Sequence, residues 1–393
     1  MMHFLDRRRQ IESKFVQIFD KLPRIWVQAP GRIDLMGSHT DYNQGFVLTQ
    51  TIDRNTWIAA HPRQDGLVHI ASLNVDGESI FDLDEIVHDQ LNPWSNYVRG
   101  VADVLQEVGY DLSGFDGLIH STIPFGSGLS SSAALEMSTA VLFEALGEWQ
   151  IDSVQKAILC QKAENEFVGM NCGILDQYTS AMGIAQSLLL LDCRDITSEI
   201  VPIAPSMQVM ICDTRAERAL TGSEYSQRRA QCEEGVRILS RFYPHIKALR
   251  DTSLDQLSAH QQDLDPIVYR RCKFIIEENQ RVLDMSLAIS KGDLSAVGRL
   301  ACESFTGARD LYEIVSTEMI AMYDAIMDSA GALGARGAGA GFGGCLVAFT
   351  KDDQIQEFSQ QVIGKYKLST GIEASVFPAI ASDGAGIIDF QLE

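Results

Sequence analysis

The chain has 393 residues, 46% hydrophobic and 22% charged, enough for two domains with a sizeable core. Its 32 basic and 53 acidic residues give a formal net charge of −21, which argues against nucleic acid and anionic membranes as primary partners and reads as solubility. No segment approaches the roughly 18 continuous apolar residues of a membrane span, and scattered cysteines and unclustered histidines suggest reduced thiols in the cytoplasm and no dedicated zinc site.

The first stretch, MMHFLDRRRQIESKF, carries charges where a signal peptide needs an apolar centre, and it reads as a charged amphipathic helix. Residues 25–31 (IWVQAPG), 45–60, 67–73 and 116–124 have the β-branched and aromatic content of strands. Between the first two lies APGRIDLMGSHTDYNQG (29–45), a polar turn that gathers Arg32, Asp34, His39, Asp41, Tyr42 and Asn43 around glycines. So many hydroxyl-complementary groups on one loop suit a sugar; an ordinary polar turn is the alternative.

Next comes PFGSGLSSSAALE (124–136), where glycines and three serines open directly into a helix-forming run. A helix N-terminus carries unsatisfied N–H groups and the positive end of the macrodipole, so glycines ahead of it make a ready anion site. The serines can add hydroxyl donors or ligate Mg2+ beside a phosphate. The run is not a Walker A loop, since no Gly-Lys-Ser/Thr follows. Nor is it a full dinucleotide fingerprint, since Ser131 stands where the third glycine belongs. A plain serine-capped turn is the alternative.

A second helix fits 152–169, with Asp152 as its N-cap. It is followed by GMNCGILDQYTS (169–180), in which Asp176 sits among apolar neighbours beside a tight turn, either as a structural group or as a base. Strand-like runs follow at 185–193 and 207–214, long helical patterns at 223–330, and a glycine-alanine run, GARGAGAGFGGCLVAF (334–349), before another strand. Alternating Gly and Ala offer so little bulk that something must pack tightly on that backbone, another loop or a phosphate chain. The end reads as a helix over 352–367 and a strand over 373–380. Strands and helices without strict βαβ alternation predict an α+β protein, with one domain over 1–195 and a second over 196–393.

Four such elements in this order resemble the GHMP kinases, and within them the galactokinases. Arg32 to Gly45 is similar to the galactokinase signature, Pro124 to Ala134 to the family's phosphate loop with all three serines, and Gly339 to Cys345 to its third motif. The likeness continues through NPWSNYVRGV (92–101), CGILDQ (172–177), GSEYSQRRAQCEE (222–234) and ESFTGARDLYEIVS (303–316), and so spans nearly the whole chain. It implies a two-lobed GHMP kinase fold, S5-like in the N-terminal lobe and ferredoxin-like in the C-terminal lobe, with ATP and sugar in the cleft between. It also implies phosphoryl transfer from ATP to the anomeric C1 hydroxyl of an aldose.

By position, the resemblance makes Asp176 the catalytic aspartate and Arg32 the arginine beside it. It makes Ser38, His39, Asp41, Gly173 and Tyr225 sugar-contacting positions. Trp94 and Tyr97 fall at the nucleotide pocket, and Gly126, Gly128, Leu129, Ser130 and Ser131 in the phosphate loop. Ser132 and Glu164 match the pair facing Mg2+. Two positions depart from the pattern: galactose-specific members carry Glu where this chain has Ser38, and Asn where it has Asp34. Ser38 is shorter and neutral, so it predicts an emptied slot at the sugar's C6 carbon and tolerance of arabinose; Asp34 predicts added negative charge near the sugar loop. Galactose stays the leading substrate, with arabinose, a non-catalytic sugar and ATP sensor, or another GHMP activity as alternatives.

Overall fold

A computed structural model describes residues 4–216 and 222–390. Helix α1 (Phe4–Phe19) is the expected amphipathic one: Arg7, Ile11, Phe15 and Phe19, four residues apart, form its buried face. That face packs on Trp26, Trp57 and Leu118 of the neighbouring sheet. Arg7 then finds polar partners on the same sheet. Its Nε donates to His120 Nδ1 at 2.9 Å and its Nη2 to the His120 carbonyl at 2.8 Å.

The sheet comprises β1 (Ile25–Met36), β2 (Phe46–Pro62), β3 (Leu67–Ser72), β4 (Glu78–Asp82), β5 (Phe115–Ser121), β6 (Ser187–Asp192), β7 (Thr197–Pro202) and, near residue 390, a last strand Gly386–Ile387. The path runs from Gly386–Ile387 through β1, β2, β5 and β3 to β4, with β6 on β2 and β7 on β6. The long β2 serves two neighbours along one edge, β6 at Phe46–Thr49 and β5 at Thr56–Pro62. Helices α2 (Asn96–Glu107), α3 (Ser131–Gly147), α4 (Ser153–Lys162) and α5 (Leu175–Met182) belong to the same half of the chain. Asp152 caps α4 as expected, its side chain accepting from the Val154 and Gln155 amides.

The second sheet comprises β8 (Met207–Asp213), β9 (Ala332–Gly337), β10 (Cys345–Lys351) and β11 (Ser375–Pro378), in the antiparallel order β11-β8-β10-β9. Among the described residues, five α-helices separate β8 from β9: α6 (Gly222–Leu239), α7 (Leu254–Ala259), α8 (Pro266–Ser290), α9 (Leu294–Gly307) and α10 (Thr317–Met327). Helix α11 (Ile355–Thr370) separates β10 from β11. That order, with helical crossovers at those two places, is the ferredoxin-like arrangement. One buried cluster joins the halves, running from Val27, Ile33 and Leu142 to Val209, Met285 and Val347. A shared apolar core of this kind holds two lobes as one body. Sheet membership gives the lobes their limits: β7 pairs with β6 beyond residue 195, and Gly386–Ile387 return to β1. We propose these pairings as the domain boundary.

Candidate active site

The polar turn expected over 29–45 is half strand. β1 continues to Met36, and Ile33 and Leu35 are fully buried in the core. The intervening Arg32 and Asp34 therefore share the opposite face, as alternation along a strand requires. Bulges between Pro30 and Arg32 and between Asp34 and Met36 adjust where those side chains aim.

Arg32 is the hub. Its Nε and Nη2 reach Asp176 Oδ1 at 2.8 and 2.6 Å, and its Nη1 donates to the Gly128 carbonyl at 2.6 Å. Burial opposes the guanidinium's charge, but Asp176, Asp34 and Asp41 outweigh it and raise its pKa above the ordinary value. Asp176 stands in the first turn of α5, where a carboxylate favours the helix dipole. Its other oxygen accepts from the Ser130 hydroxyl.

Ser130 precedes α3 in left-handed backbone (φ 59) and makes no side-chain cap bond, because its hydroxyl is turned to Asp176. Gly126 (φ 70) and Gly128 (φ 84) are left-handed as well, while Ser127 and Leu129 between them are not. Alternating handedness turns successive amides to one side and makes a concave anion nest at the helix mouth. Leu129 adds an anchor: its side chain is buried and its carbonyl accepts from the Arg32 amide at 3.2 Å.

Beside the nest lies a cavity of about 200 Å³ lined in part by Trp94, Tyr97, Phe125, Ser131, Ser132 and Leu135. The Trp94 Nε1–H is buried and has no partner among the described residues. Trp94 and Tyr97, expected at the nucleotide pocket, line this cavity together with Ser131, Ser132 and Phe125; the last was not expected there, although its aromatic ring stands directly before the glycines.

Glu164 sits on a π-helical turn (Ala163–Val168) that continues α4, a distortion typical of functional positions. Gln177 Nε2 donates to Glu164 Oε2 at 2.6 Å and to Glu136 Oε2 at 2.9 Å. Burial pushes the Glu136 and Glu164 carboxyls up, and neighbouring carboxylates add to it: Glu164 for Glu136, Asp176 for Glu164. The Ser132 hydroxyl bonds Glu164. Among the described residues no three His, Cys, Asp or Glu side chains form a metal cage. Ser132 and Glu164 do supply two hard oxygens, a donor set that fits Mg2+ completed by phosphate and water.

On the other side of Asp176 lies the sugar loop. Gly173 packs against Asp41 so closely that a Cβ there would fall 1.8 Å from Asp41 Oδ2. Burial pushes the Asp41 carboxyl up to about 6; the Tyr42 amide opposes this, and Asp176 and Asp34 reinforce it. His39 is left-handed (φ 63). Its Nε2–H donates to the Ala340 carbonyl at 3.1 Å, and its Nδ1 accepts from Tyr42 Oη at 2.8 Å. Both ring nitrogens are thus used within the protein, and burial holds the ring neutral by lowering its pKa to about 4. The Tyr225 ring lies tilted against the His39 ring, centroids 5.3 Å apart.

Ser38 is buried and engaged by the protein itself. Its Oγ accepts from Arg336 Nη2, and Arg336 Nη1 pairs with Asp34 Oδ2 at 3.2 Å. Asp34 is therefore paired, yet its negative charge is still felt at Asp41 and His39 of the loop, as expected. Its Oδ1 accepts from the Gly339 amide at 2.7 Å, and a Cβ on Gly339 would lie 3.6 Å from the Gly128 carbonyl. Protein packs on the glycine-alanine run: the sugar strand and the phosphate loop at Gly339, α9 at Gly334 and Ile314 at Gly341.

Known proteins resemble this chain in sequence and in fold. The galactokinase galactose-binding signature matches residues 13–62, the GHMP kinases N terminal domain residues 96–184, and the GHMP kinases C terminal domain residues 285–368. The chain is 41% identical to galactokinase of Roseiflexus sp. (strain RS-1) over 377 residues, 96% of each. It is 40% identical to galactokinase of Chloroflexus aggregans over the same length and shares. The crystal structure of Lactococcus lactis galactokinase complexed with galactose superposes with a TM-score of 0.92 at 33% identity, covering 96% of this chain and 99% of that one. A mevalonate kinase structure, at 16% identity and a TM-score of 0.63, shares the fold.

Proposed function

The chain belongs to the galactokinase family of the GHMP kinases, and we infer that it transfers the terminal phosphoryl group of ATP to the C1 hydroxyl of galactose, giving galactose 1-phosphate and ADP. The observation that carries this is Asp176, held by Arg32 and Ser130 between the anion nest on one side and Asp41 with Gly173 on the other.

Phosphoryl transfer needs positioning and charge neutralisation more than covalent chemistry. Asp176 takes or orients the C1 hydroxyl proton, a contribution of roughly 10²–10⁴ in rate for a well-placed base. Arg32 fixes that carboxylate and presents positive charge to the group in transit. Because Arg32 also holds the Gly128 carbonyl, one side chain sets the spacing between base and phosphate loop. The nest amides hold the phosphates, and Trp94 and Tyr97 wall the base. Asp41, Tyr225 and the backbone at His39 and Gly173 bind the sugar, since the His39 ring is already engaged. Ser132 and Glu164 would hold Mg2+, which supplies charge neutralisation at the phosphates when bound.

Among the described residues no helix is long and apolar enough to cross a membrane, and none of the eight cysteines is in a disulfide. Both fit the cytoplasmic location we propose. Measuring ATP-dependent ADP release with galactose, arabinose, fucose, N-acetylgalactosamine and galacturonate tests the assignment. Galactose should be the preferred acceptor, and no turnover with galactose would refute it.

A further inference from the structure

Residue 34, in β1, and residue 38, in the turn just after it, address the same guanidinium. Arg336, on β9 and 1% exposed, donates from Nη1 to the Asp34 carbonyl at 2.9 Å as well as to Asp34 Oδ2. Its Nη2 donates to Ser38 Oγ, which itself lies 3.5 Å from Asp34 Oδ2. Its Nε donates to Ser304 Oγ at 3.1 Å. The other acid nearby, Glu278, is shared between Arg336 and Arg281. Arg281 Nε donates to Glu278 Oε2 at 2.8 Å, and Arg336 lies 3.5 Å from Glu278 Oε1.

Two buried acids thus face two buried guanidiniums: Glu278 is shared by both, and Asp34 makes the closer pair with Arg336. Removing a single partner from such a group leaves a buried charge uncompensated. A carboxylate on the residue 38 side chain would meet the same Nη2 that Ser38 now meets. Acid is therefore required at one of the two positions, and acid at both would leave an excess negative charge. The chain's two departures from the galactokinase signature fall on these positions.

We propose that Asp34 and Ser38 are one coupled substitution. The carboxylate is moved from residue 38 to residue 34, keeping Arg336 neutralised and the slot beside Ser38 filled, so that the Asp34–Arg336 pair sets selection at the sugar's C6 carbon. Asp34 acts as a positioning residue: through Oδ1 it ties the sugar strand to Gly339, and through Oδ2 it holds the guanidinium that closes the slot. The selection claim rests on the galactokinase reading; the coupling does not.

The test compares wild type, Asp34→Asn, Ser38→Glu and the double variant, by melting temperature and by KM and kcat for galactose and arabinose. Each single variant should raise the galactose KM by about fivefold or more, narrow the gap between galactose and arabinose, and lower the melting temperature; residues sharing one buried network are non-additive to this degree. The double variant should recover most of each loss. Ser38→Gln in the Asp34→Asn background has the shape without the charge and should recover none. A double variant whose KM rise is the product of the two singles, one that melts no higher than Asp34→Asn, or rescue by glutamine overturns the coupling. An unchanged galactose-to-arabinose KM ratio in Asp34→Asn overturns the selection role. Should Asp34→Asn fail to fold, a folded double variant supports the proposal and an unfolded one ends it. If wild type does not phosphorylate galactose, the kinase reading fails instead, and the melting temperatures still decide the coupling.

Discussion

Arg32 grips Asp176 with two nitrogens at 2.8 and 2.6 Å while a third holds the carbonyl of Gly128 at 2.6 Å. One planar side chain therefore joins the proposed base to the loop proposed to carry the phosphates. Asp176→Asn should lower kcat by at least ~10²-fold, the usual contribution of a positioned base. Calorimetry should still show galactose binding. Turnover near the wild-type rate would remove Asp176 from the chemistry. Arg32→Lys keeps the charge but cannot span both partners, so it too should lower kcat more than it raises either KM.

Gly173 permits the close seat of Asp41. An alanine Cβ placed 1.8 Å from Asp41 Oδ2 must displace that carboxylate. Gly173→Ala should raise the KM for galactose by about tenfold, the worth of one charged hydrogen bond at the lower end of its range. The ATP KM should be untouched. Equal shifts in both constants would mean a general disturbance of the cleft.

The unpartnered Trp94 Nε1–H makes a narrower claim. Trp94→Phe keeps a ring on the cavity wall and deletes only that donor. A neutral hydrogen bond is worth roughly 0.5–1.5 kcal/mol, so the ATP KM should rise about two- to tenfold with galactose binding unchanged. No change would place the nucleotide base elsewhere.

Acid should weaken the fold through His120. Its Nδ1 accepts from Arg7, so the ring must stay neutral there, and burial together with Arg7 lowers its pKa to about 4. An unfolded histidine titrates near 6.5. Between those values the unfolded chain binds a proton that the folded one refuses, so stability present above pH 6.5 is lost as pH falls toward 4. The full gap is worth about 3 kcal/mol. His39, also near 4, acts with the same sign; Asp41, raised to about 6, acts oppositely and offsets part of it. Melting temperature should therefore drop between pH 7 and 5, and His120→Gln should flatten that drop. An identical slope in the variant would exclude His120 as the source.

Much of the fold was legible because local chemistry and tertiary role coincided. The charges running through MMHFLDRRRQIESKF marked α1 as an amphipathic helix, and Asp152 marked the start of α4. What escaped had its cause elsewhere in space. β9 reads as a glycine-rich loop because α9 packs directly on it: a Cβ at Gly334 would meet the Gly298 carbonyl at 2.3 Å. The stretch Arg32–Leu35 reads as polar turn although its alternation was that of a strand. The site's residue types were visible in the motifs. Arg336 was not singled out, since nothing local announces that a glycine-alanine run holds the counter-charge to a residue some three hundred positions earlier.

The strand Gly386–Ile387 lies along β1, pairing Val27 with Ile387, and the Ile388 amide adds a bond to the Trp26 carbonyl. During synthesis the flank of β1 that carries Trp26 and Val27 thus stays uncovered until almost everything described here has left the ribosome. Bare strand flanks invite pairing with other chains. The nascent protein is most exposed to misassembly late, when its first sheet is otherwise made, and a label or cut placed just before residue 386 would prolong that interval.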